Sequence, residues 1–477
     1  MESMIHRNLA FLWFQYDIET CEGRCAVTTR NSQAEEVGRR LKEDGVRFAI
    51  AGYTDLHGNL KGKVVPIDHF VQMAGGSELF TGAALDGLPQ EVNEEELSAH
   101  PDLDRGVVLP WRPDIALFPS ELFVGDVPFP ASTRNILGRQ IADAAEMGYT
   151  FNLGVETEFF VFRQGDDGPE NVSDRDDLGK PCYTIPSLLD NLGWLGELVD
   201  HMNTLGWDVY SFDHEDAQSQ FEIDFAYSDG MTMADRVVTF RTMANEVARS
   251  HGAFASFMPK PFADRTGSGA HFNMSLADPE SGQNLFESVE DPRGAGLSDI
   301  GYHFAAGIVR HAAAISAVIA PTVNSYKRLV RQGSMSGSTW APIFASCGNN
   351  NRTNMLRIPL GGGRVECRAV DSACNPHLAA ALLLAAGLEG IREKLELEHF
   401  HTDNLYEVDQ EDYEARGLKL LPRTLEEAID AFEADPLTEA VCGPEFRRSF
   451  IDYKRGEWES YVTAVTDWER ARYLTFF

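Results

Sequence analysis

Two periodicities alternate along the chain and divide it into elements. SQAEEVGRRLKEDG spaces its apolar positions at helical intervals and stops at Gly45. VRFAIAGYTD and LKGKVVPID follow at strand spacing, and the turn formers of DLHGN between them predict a β-hairpin. Proline and acidic residues crowd the stretch from His100 to Pro130, as in a small β-rich domain that closes near PFPASTR. Ser132 or Thr133 is placed to cap the next helix, RNILGRQIADAAEMG. Beyond residue 150, strand-like runs alternate with longer helices, including SLLDNLGWLGELVDHMNTLG and ADRVVTFRTMANEVARSHG.

Four of the later strands carry one apolar and one ionisable face. GVETEFFVF has the composition of a buried strand, yet Glu156 and Glu158 are spaced to point to the same side. SQFEIDFAY puts Glu222 with Asp224, GAHFNMSLA puts His271 with Asn273 and Ser275, and GRVECRAVD puts Arg364, Glu366 and Arg368 together. Wet faces on antiparallel sheets are common, but they usually carry Thr, Ser and Lys. Glutamates, a histidine and arginines on four strands predict a sheet or partial barrel curved around a charged cavity.

Composition narrows the function classes. The 477 residues suffice for two or more domains. With 74 acidic against 41 basic residues the formal charge is −33, which disfavours nucleic acid and anionic membrane as partners. Seven scattered cysteines, odd in number, do not suggest a disulfide framework. The N-terminal LAFLWF is short and has no small-residue cleavage site behind it, so no signal peptide is expected. AAAISAVIA and LAAALLLAAGL read as buried helices, too short to span a bilayer. A cytoplasmic protein is the default expectation.

The carboxylate and imidazole set is Glu156, Glu158, Glu215, Glu222, His271 and Glu366. Oxygen-rich donors with one imidazole suit Mg²⁺ or Mn²⁺. Arg328, Arg352, Arg357, Arg364 and Arg368 follow closely in sequence, and arginines beside a metal site suit phosphate or carboxylate ligands. No GxxxxGK[ST] loop is present. Simpler readings stand beside these: His271 as a structural histidine, Glu366 as one rung of an ion-pair ladder, and GGG at 361–363 as a hairpin turn. RLVRQGSMSGSTWAP, from Arg328 to Pro342, reads as a long loop of the kind that forms lids.

Taken in order, these motifs resemble the glutamine synthetase superfamily. GVETEFFVF is similar to its paired-glutamate strand, HEDAQSQFEID to its second metal segment and GSGAHFNMSL to its histidine strand. VNSYKRLV, NNNRTNMLRIP and GGGRVECRAVDSACNPHLAAA are similar to its arginine and nucleotide segments, and YTDLHGNLKGKVVP to its N-terminal hairpin. The likeness runs from about residue 46 to the C-terminus. It implies an α+β protein with an N-terminal β-grasp domain (36–130), after an extension (1–35), and a catalytic domain (131–477) forming an open, metal-lined β-barrel with flanking helices. It also implies hexameric rings or dodecamers, two to three Mg²⁺ or Mn²⁺ per active site, and ATP, L-glutamate and an amine as substrates.

Carried over by position, Glu158, Glu215 and Glu222 would hold a first metal, and Glu156, His271 and Glu366 a second. Gly267, Arg328 and Arg368 would bind glutamate, while Arg352 and Arg357 would stabilise the transferring phosphoryl group. Ser275 and Arg364 would contact nucleotide. Asp55, reaching a neighbouring subunit, and Tyr183 would face the amine. Ammonia-using members normally carry a flap glutamate before an Ala-Pro pair, and here that position is Trp340. Thr266 and Asn273 replace the asparagine and histidine of many members, and Tyr406 aligns with a tyrosine that some bacterial members adenylylate.

KPCYTIPSLL, YKRLVRQGSMSGSTWAP and DWERARYLTFF place the likeness nearest the γ-glutamylmethylamide synthetase and type III glutamine synthetase-like group. The expected activity is therefore ATP-dependent joining of glutamate to a primary amine, methylamine foremost. The alternatives are an ammonia ligase, a catalytically inactive relative, and a carboxylate kinase.

Overall fold

The computed structural model describes residues 21–477, with side chains from Arg30 onward. LAFLWF, Cys21 and Cys25 therefore lie outside the described side chains. The chain folds as two compact units. One takes in the described residues up to Tyr53, with 61–81 and 95–129; the other takes in 54–60, 82–94 and 130–477.

The first unit is a helix on a sheet. The helix Cys21–Glu43 starts well before the SQAEEV segment read from sequence, since no proline interrupts the preceding residues. It ends as predicted at Gly45, whose φ of +86° turns the chain so that Val46 N–H bonds back to Leu41 O at 2.9 Å. Ala34, Val37 and Leu41, at helical spacing, are buried. The hairpin strands Phe48–Thr54 and Leu60–Pro66 belong to a seven-stranded sheet. Phe48–Thr54 pairs parallel with the long strand Arg112–Val124, which pairs antiparallel with Leu97–Pro101.

The second unit holds a ten-stranded sheet curved into a half-barrel. Its main path runs Val209–His214, Gln220–Phe225, Thr150–Gly165, Ala270–Ala277, Val365–Cys367, Leu356–Ile358 and Cys347–Asn349. The paired-glutamate strand Thr150–Gly165 is central, with Val155, Thr157 and Phe159, which alternate with the glutamates, buried. Phe159 packs edge-on to Phe240 and Trp194 and stacks on Phe257, which fixes the strand against the helices behind it. LAAALLLAAGL lies in the helix Pro376–Glu393, buried along most of its length. Asn375 caps that helix, its side chain accepting from His377 N and Leu378 N.

Ser132 occupies the N-cap position of the helix Thr133–Glu146, but its side chain makes no capping bond. GGG turns the chain between two antiparallel strands, with positive φ at all three glycines. Among the described residues no single helix is long and apolar enough to cross a membrane.

Candidate active site

Strand register gathers the acidic residues. Asp213 lies opposite Glu222, and Glu222 opposite Glu158, so three strands place a carboxylate in one row. Directly opposed residues share a face of the sheet. His271 sits opposite Glu156, and Asn273 and Arg357 both lie opposite Glu366. His271 Nδ1 lies 3.0 Å from Glu156 Oε2 and 3.8 Å from Glu366 Oε1, and its Nε2 lies 3.5 Å from Glu158 Oε1. Two groups have ligand atoms all within 4.8 Å of one another: Glu156 with His271 and Glu366, and Glu158 with Glu222 and His271. Glu215 is in neither group; it lines the same cavity at a greater separation.

The arginines close the other side. Arg368 Nη1 donates to Glu366 Oε1 at 2.6 Å and Arg357 Nη1 to Glu366 Oε2 at 2.7 Å, all three groups being largely buried. Glu366 thus belongs both to an ion-pair ladder and to one of the two groups spaced as metal ligands. Arg328 is buried and anchored on the carbonyls of Arg368 and Ala369. Gly267 approaches it closely: a Cβ there would stand 2.3 Å from Pro259 O and 3.0 Å from Arg328 Cγ. A side chain at 267 would displace the arginine.

These residues enclose a cavity of about 470 Å³. Its lining includes Glu156, Glu158, Glu215, Glu222, His271, Gly267, Arg328, Arg352, Arg357 and Arg368, with Tyr183 and Trp340 as its large aromatic members. Glu366 lies behind this lining. A second cavity of about 460 Å³ shares Glu156 and is lined by Ser275, Arg364, Asn273, Tyr210, Tyr227 and the glycine turn. Asn273 links the two, donating to Glu156 Oε1 at 2.9 Å and accepting from Arg364 Nε at 2.9 Å. The strand Val365–Cys367 is too short to carry Arg364 and Arg368 together, so Arg364 lines the second cavity and Arg368 the first.

Asp55 lines neither cavity of its own chain. Its carboxylate accepts from His57 N and Asn59 N, shaping the DLHGN turn, and its carbonyl accepts from Asn375 Nδ2 at 2.7 Å. Thr266 donates to Gln220 Oε1 at 3.0 Å, and Gln220 Nε2 donates to Glu158 Oε2 at 3.2 Å. Tyr406 donates its hydroxyl to Ala341 O at 2.6 Å, bracing the flap beside Trp340.

The electrostatics fit a divalent cation. Burial, then the Glu158 charge, pushes Glu215 up to about 8; burial, then Glu156, pushes Asp224 up to about 7; burial, then Glu158, pushes Asp213 up to about 6. Glu222 is raised as well, by burial and then by Glu215. One oxygen each of Asp213 and Asp224 is buried with no hydrogen-bond partner. Carboxylates so crowded need a positive charge among them. His271 is pushed down to about 3 by burial and then by Arg368, which keeps its ring neutral and able to ligate.

Carboxylates whose folded pKa is raised stabilise the fold below the unfolded value near 4, and that contribution disappears as pH rises through about 6 to 8. We expect the melting temperature of metal-stripped protein to fall across this window and the gain from saturating Mg²⁺ to grow across it. Thermal scans with and without chelator at pH 5.5, 7 and 8.5 check this; a Mg²⁺ gain that does not change with pH would remove the acidic face as the binding site.

The profile of the glutamine synthetase catalytic domain matches residues 130–473. The chain belongs to the glutamine synthetase family. Within the family it is 38% identical over 443 residues to a glutamate–methylamine ligase of Methyloversatilis universalis, covering 93% of this chain and 99% of that one. It is 36% identical over 430 residues to a glutamine synthetase of Rhizobium meliloti, covering 90% and 96%. Among solved structures it is similar to a GmaS–ADP complex, with TM-score 0.86, 36% identity and 92% of this chain covered against 99% of that one. Ligases of the glutamine synthetase family use ATP and divalent metal and join glutamate to ammonia or an amine.

The candidate set read from the sequence omitted Asp213, Asp216, Gln220 and Thr339 of the first cavity and Tyr210 and Tyr227 of the second. Asp213 had a usable signal, because SFDHED precedes the Glu222 strand by one tight turn and so falls opposite it. Asp216 had none, because its partner Trp340 is distant in sequence.

Proposed function

We propose that the chain joins the γ-carboxyl of L-glutamate to a primary amine, with methylamine as the favoured acceptor, through a γ-glutamyl phosphate formed at the expense of ATP. The observation that carries the amine is Trp340. This indole lies at the cavity lining, 44% exposed, together with Tyr183, 67% exposed. Two aromatic surfaces suit a cation that bears an alkyl group, by cation–π attraction of about 0.5–2 kcal/mol, better than they suit the compact, strongly hydrated ammonium ion. Both residues hold a positive φ, 57° and 63°, a conformation that aromatic residues adopt only under constraint.

The roles follow position. Arg328, Arg368 and Gly267 hold glutamate. Arg352 and Arg357 meet the transferring phosphoryl group, offsetting repulsion between the carboxylate and the ATP γ-phosphate. Ser275 and Arg364 hold nucleotide in the second cavity. Glu158, Glu215 and Glu222, and Glu156, His271 and Glu366, would hold two divalent cations, Mg²⁺ or Mn²⁺, which supply charge neutralisation at the phosphates. The flap bearing Trp340 keeps water from the acyl phosphate. Asp55 would serve the site of a neighbouring subunit in a hexameric ring or dodecamer, and the enzyme would act in the cytoplasm.

An ammonia ligase is the second reading, favoured by relatives named glutamine synthetase. Phosphate release from ATP and glutamate, measured with ammonia, methylamine, isopropylamine, polyamines and aniline, decides between them. We expect methylamine to have the highest kcat/KM; efficient turnover with ammonia alone would overturn the proposal. Trp340→Glu is expected to move preference toward ammonia by about tenfold, about 1.4 kcal/mol, within the range of the lost cation–π term. An unchanged amine profile would reduce Trp340 to packing.

A further inference from the structure

Residues 54–60 of the N-terminal hairpin belong to the second unit, although most of the strand on either side of them belongs to the first. They form the DLHGN turn that carries Asp55. Side chains of the second unit account for this by taking up the backbone carbonyls of the turn. Thr133 donates its hydroxyl to Thr54 O at 3.3 Å, Asn375 Nδ2 donates to Asp55 O at 2.7 Å and to Leu56 O at 3.4 Å, and Arg241 Nη1 donates to Gly58 O at 3.4 Å. His57 is held as well, its Nε2 lying 3.1 Å from Asp86 Oδ2 and 3.2 Å from the Tyr453 hydroxyl.

Arg241 does more than reach the turn. Its helix, Gly230–Ser250, sets the guanidinium over the ring of Phe257, with the centroid 5.8 Å away, and Nη2 donates to Cys374 O at 2.7 Å. One guanidinium thus ties the turn to the residue before Asn375, which is itself fixed as the N-cap of Pro376–Glu393. The fit is closest at Gly58, where φ is +75°. A Cβ there would stand 2.7 Å from Arg241 Nη1, 3.0 Å from Cys374 O and 3.1 Å from Asn375 Cα, so the turn lies directly on the backbone of 374–375.

We infer that Arg241 is a positioning residue for the site of the neighbouring subunit: with Asn375 it fixes the DLHGN turn, and so the place at which Asp55 acts. This rests on the reading that Asp55 serves a neighbour's site. Arg241, Asn375 and Gly58 line neither cavity of their own chain, so the route from them to the chemistry is the turn. Asp55 is only 8% exposed. A carboxylate with so small a window acts only where its backbone puts it, and a displacement of about 1 Å in a positioned group can cost about 10²-fold in rate. A charged donor on Gly58 O, itself held by the ring of Phe257 and by Cys374 O, resists that displacement better than a neutral donor.

The experiment measures amide formation by the full-length enzyme with Mg²⁺, ATP and glutamate, with methylamine and in parallel with ammonia. Arg241→Met keeps an unbranched stem against Phe257 and deletes both donors, while Gly58→Ala forces the turn off 374–375 from within. Each is expected to lower amide formation by about 10- to 100-fold, and Arg241→Lys, which keeps the charge, to recover part of the loss. Complementation then tells a turn defect from a defect in the chain's own site. Glu158→Gln spoils the acidic face of its chain and leaves the turn intact; Arg241→Met and Gly58→Ala do the reverse. Two chains carrying different tags are co-expressed and purified through both tags. In a randomly mixed ring about a quarter of the sites join an intact face to an intact turn, so activity is expected to rise well above that of either variant, toward about a quarter of wild type. Asp55→Asn paired with Glu158→Gln is the reference.

Recovery in the reference pair, with none when Arg241→Met or Gly58→Ala is paired with Glu158→Gln, would overturn the inference and leave Asp55 with the neighbour. No recovery in the reference pair, or chains that do not co-purify, would bring down the reading of Asp55 and the inference together. Undiminished amide formation in both single variants would overturn the positioning role. If Arg241→Met does not assemble, Gly58→Ala carries the same test without touching the catalytic helices.

Discussion

Glu158→Gln is expected to lower glutamate-dependent phosphate release from ATP by about 10²–10³-fold or more, the scale of losing one main electrostatic group at a transition state. Glu158 stands in the acidic row opposite Glu222, with Oε1 3.5 Å from His271 Nε2. Its Oε2 accepts from Gly269 N at 2.7 Å and from Gln220 Nε2 at 3.2 Å. Glutamine has the same shape, and its amide oxygen can keep the bond to Gly269, but its NH₂ would then point at His271 and repel a cation. The fold itself should not suffer. The Glu158 charge helps to raise Glu215, Glu222 and Asp213, so its removal relieves repulsion in metal-stripped protein. The expected signature is a melting temperature equal to or above wild type in chelator, a smaller gain from Mg²⁺, and weaker Mn²⁺ binding by calorimetry. Normal phosphate release with normal Mn²⁺ affinity would refute the assignment of the acidic face to metal.

Glu366→Ala is expected to act on stability first. Both its oxygens are held by arginines, and its side chain is fully buried. Burial opposes its charge, but Arg368, with help from His271 and Arg357, holds its carboxyl below the usual range. Deleting it leaves two guanidinium groups without their shared anion, a change that costs about 3–5 kcal/mol at a buried pair. Denaturant unfolding at pH 7 should show the loss, and activity should fall with it because Arg357 and Arg368 lose their anchor. Glu366→Asp, which keeps the charge on a shorter arm, should recover part of the stability. The lowered pKa sets the sign with pH: the contribution is present above the unfolded carboxylate value near 4.3 and disappears as pH falls through the folded value. A loss below about 1 kcal/mol in Glu366→Ala would mean that the arginines find other partners.

Much of the site was legible because β-strands repeat every two residues. Glu156 with Glu158, and His271 with Asn273 and Ser275, were assigned to shared faces from spacing alone, and the structure places them there. The buried helices at 312–320 and 378–388 were readable from apolar runs too short for a bilayer. Where periodicity failed, local hydrogen bonding was the reason. The run GRVECRAVD alternates like a strand, but only Val365–Cys367 is one, because its pairing with Leu356–Ile358 ends there. Arg364 and Arg368 consequently serve different cavities. The first helix begins upstream of the SQAEEV segment read from the sequence, because no proline or other breaker interrupts the residues before it.

By itself the sequence determined which residue types meet at the site: carboxylates, one imidazole and a run of arginines on half-polar strands, enough to name the family and the phosphoryl chemistry. That information is local, since spacing along one strand decides which way its side chains face. Tertiary structure alone decided how these residues are shared. It made Glu366 the common anion of two arginines and of the second metal-type group, it separated Arg364 from Arg368, and it brought Asp216 to Trp340 across 124 residues. No periodicity encodes such a pairing. Strand register and the path of an irregular loop set it, and both depend on packing of the whole unit.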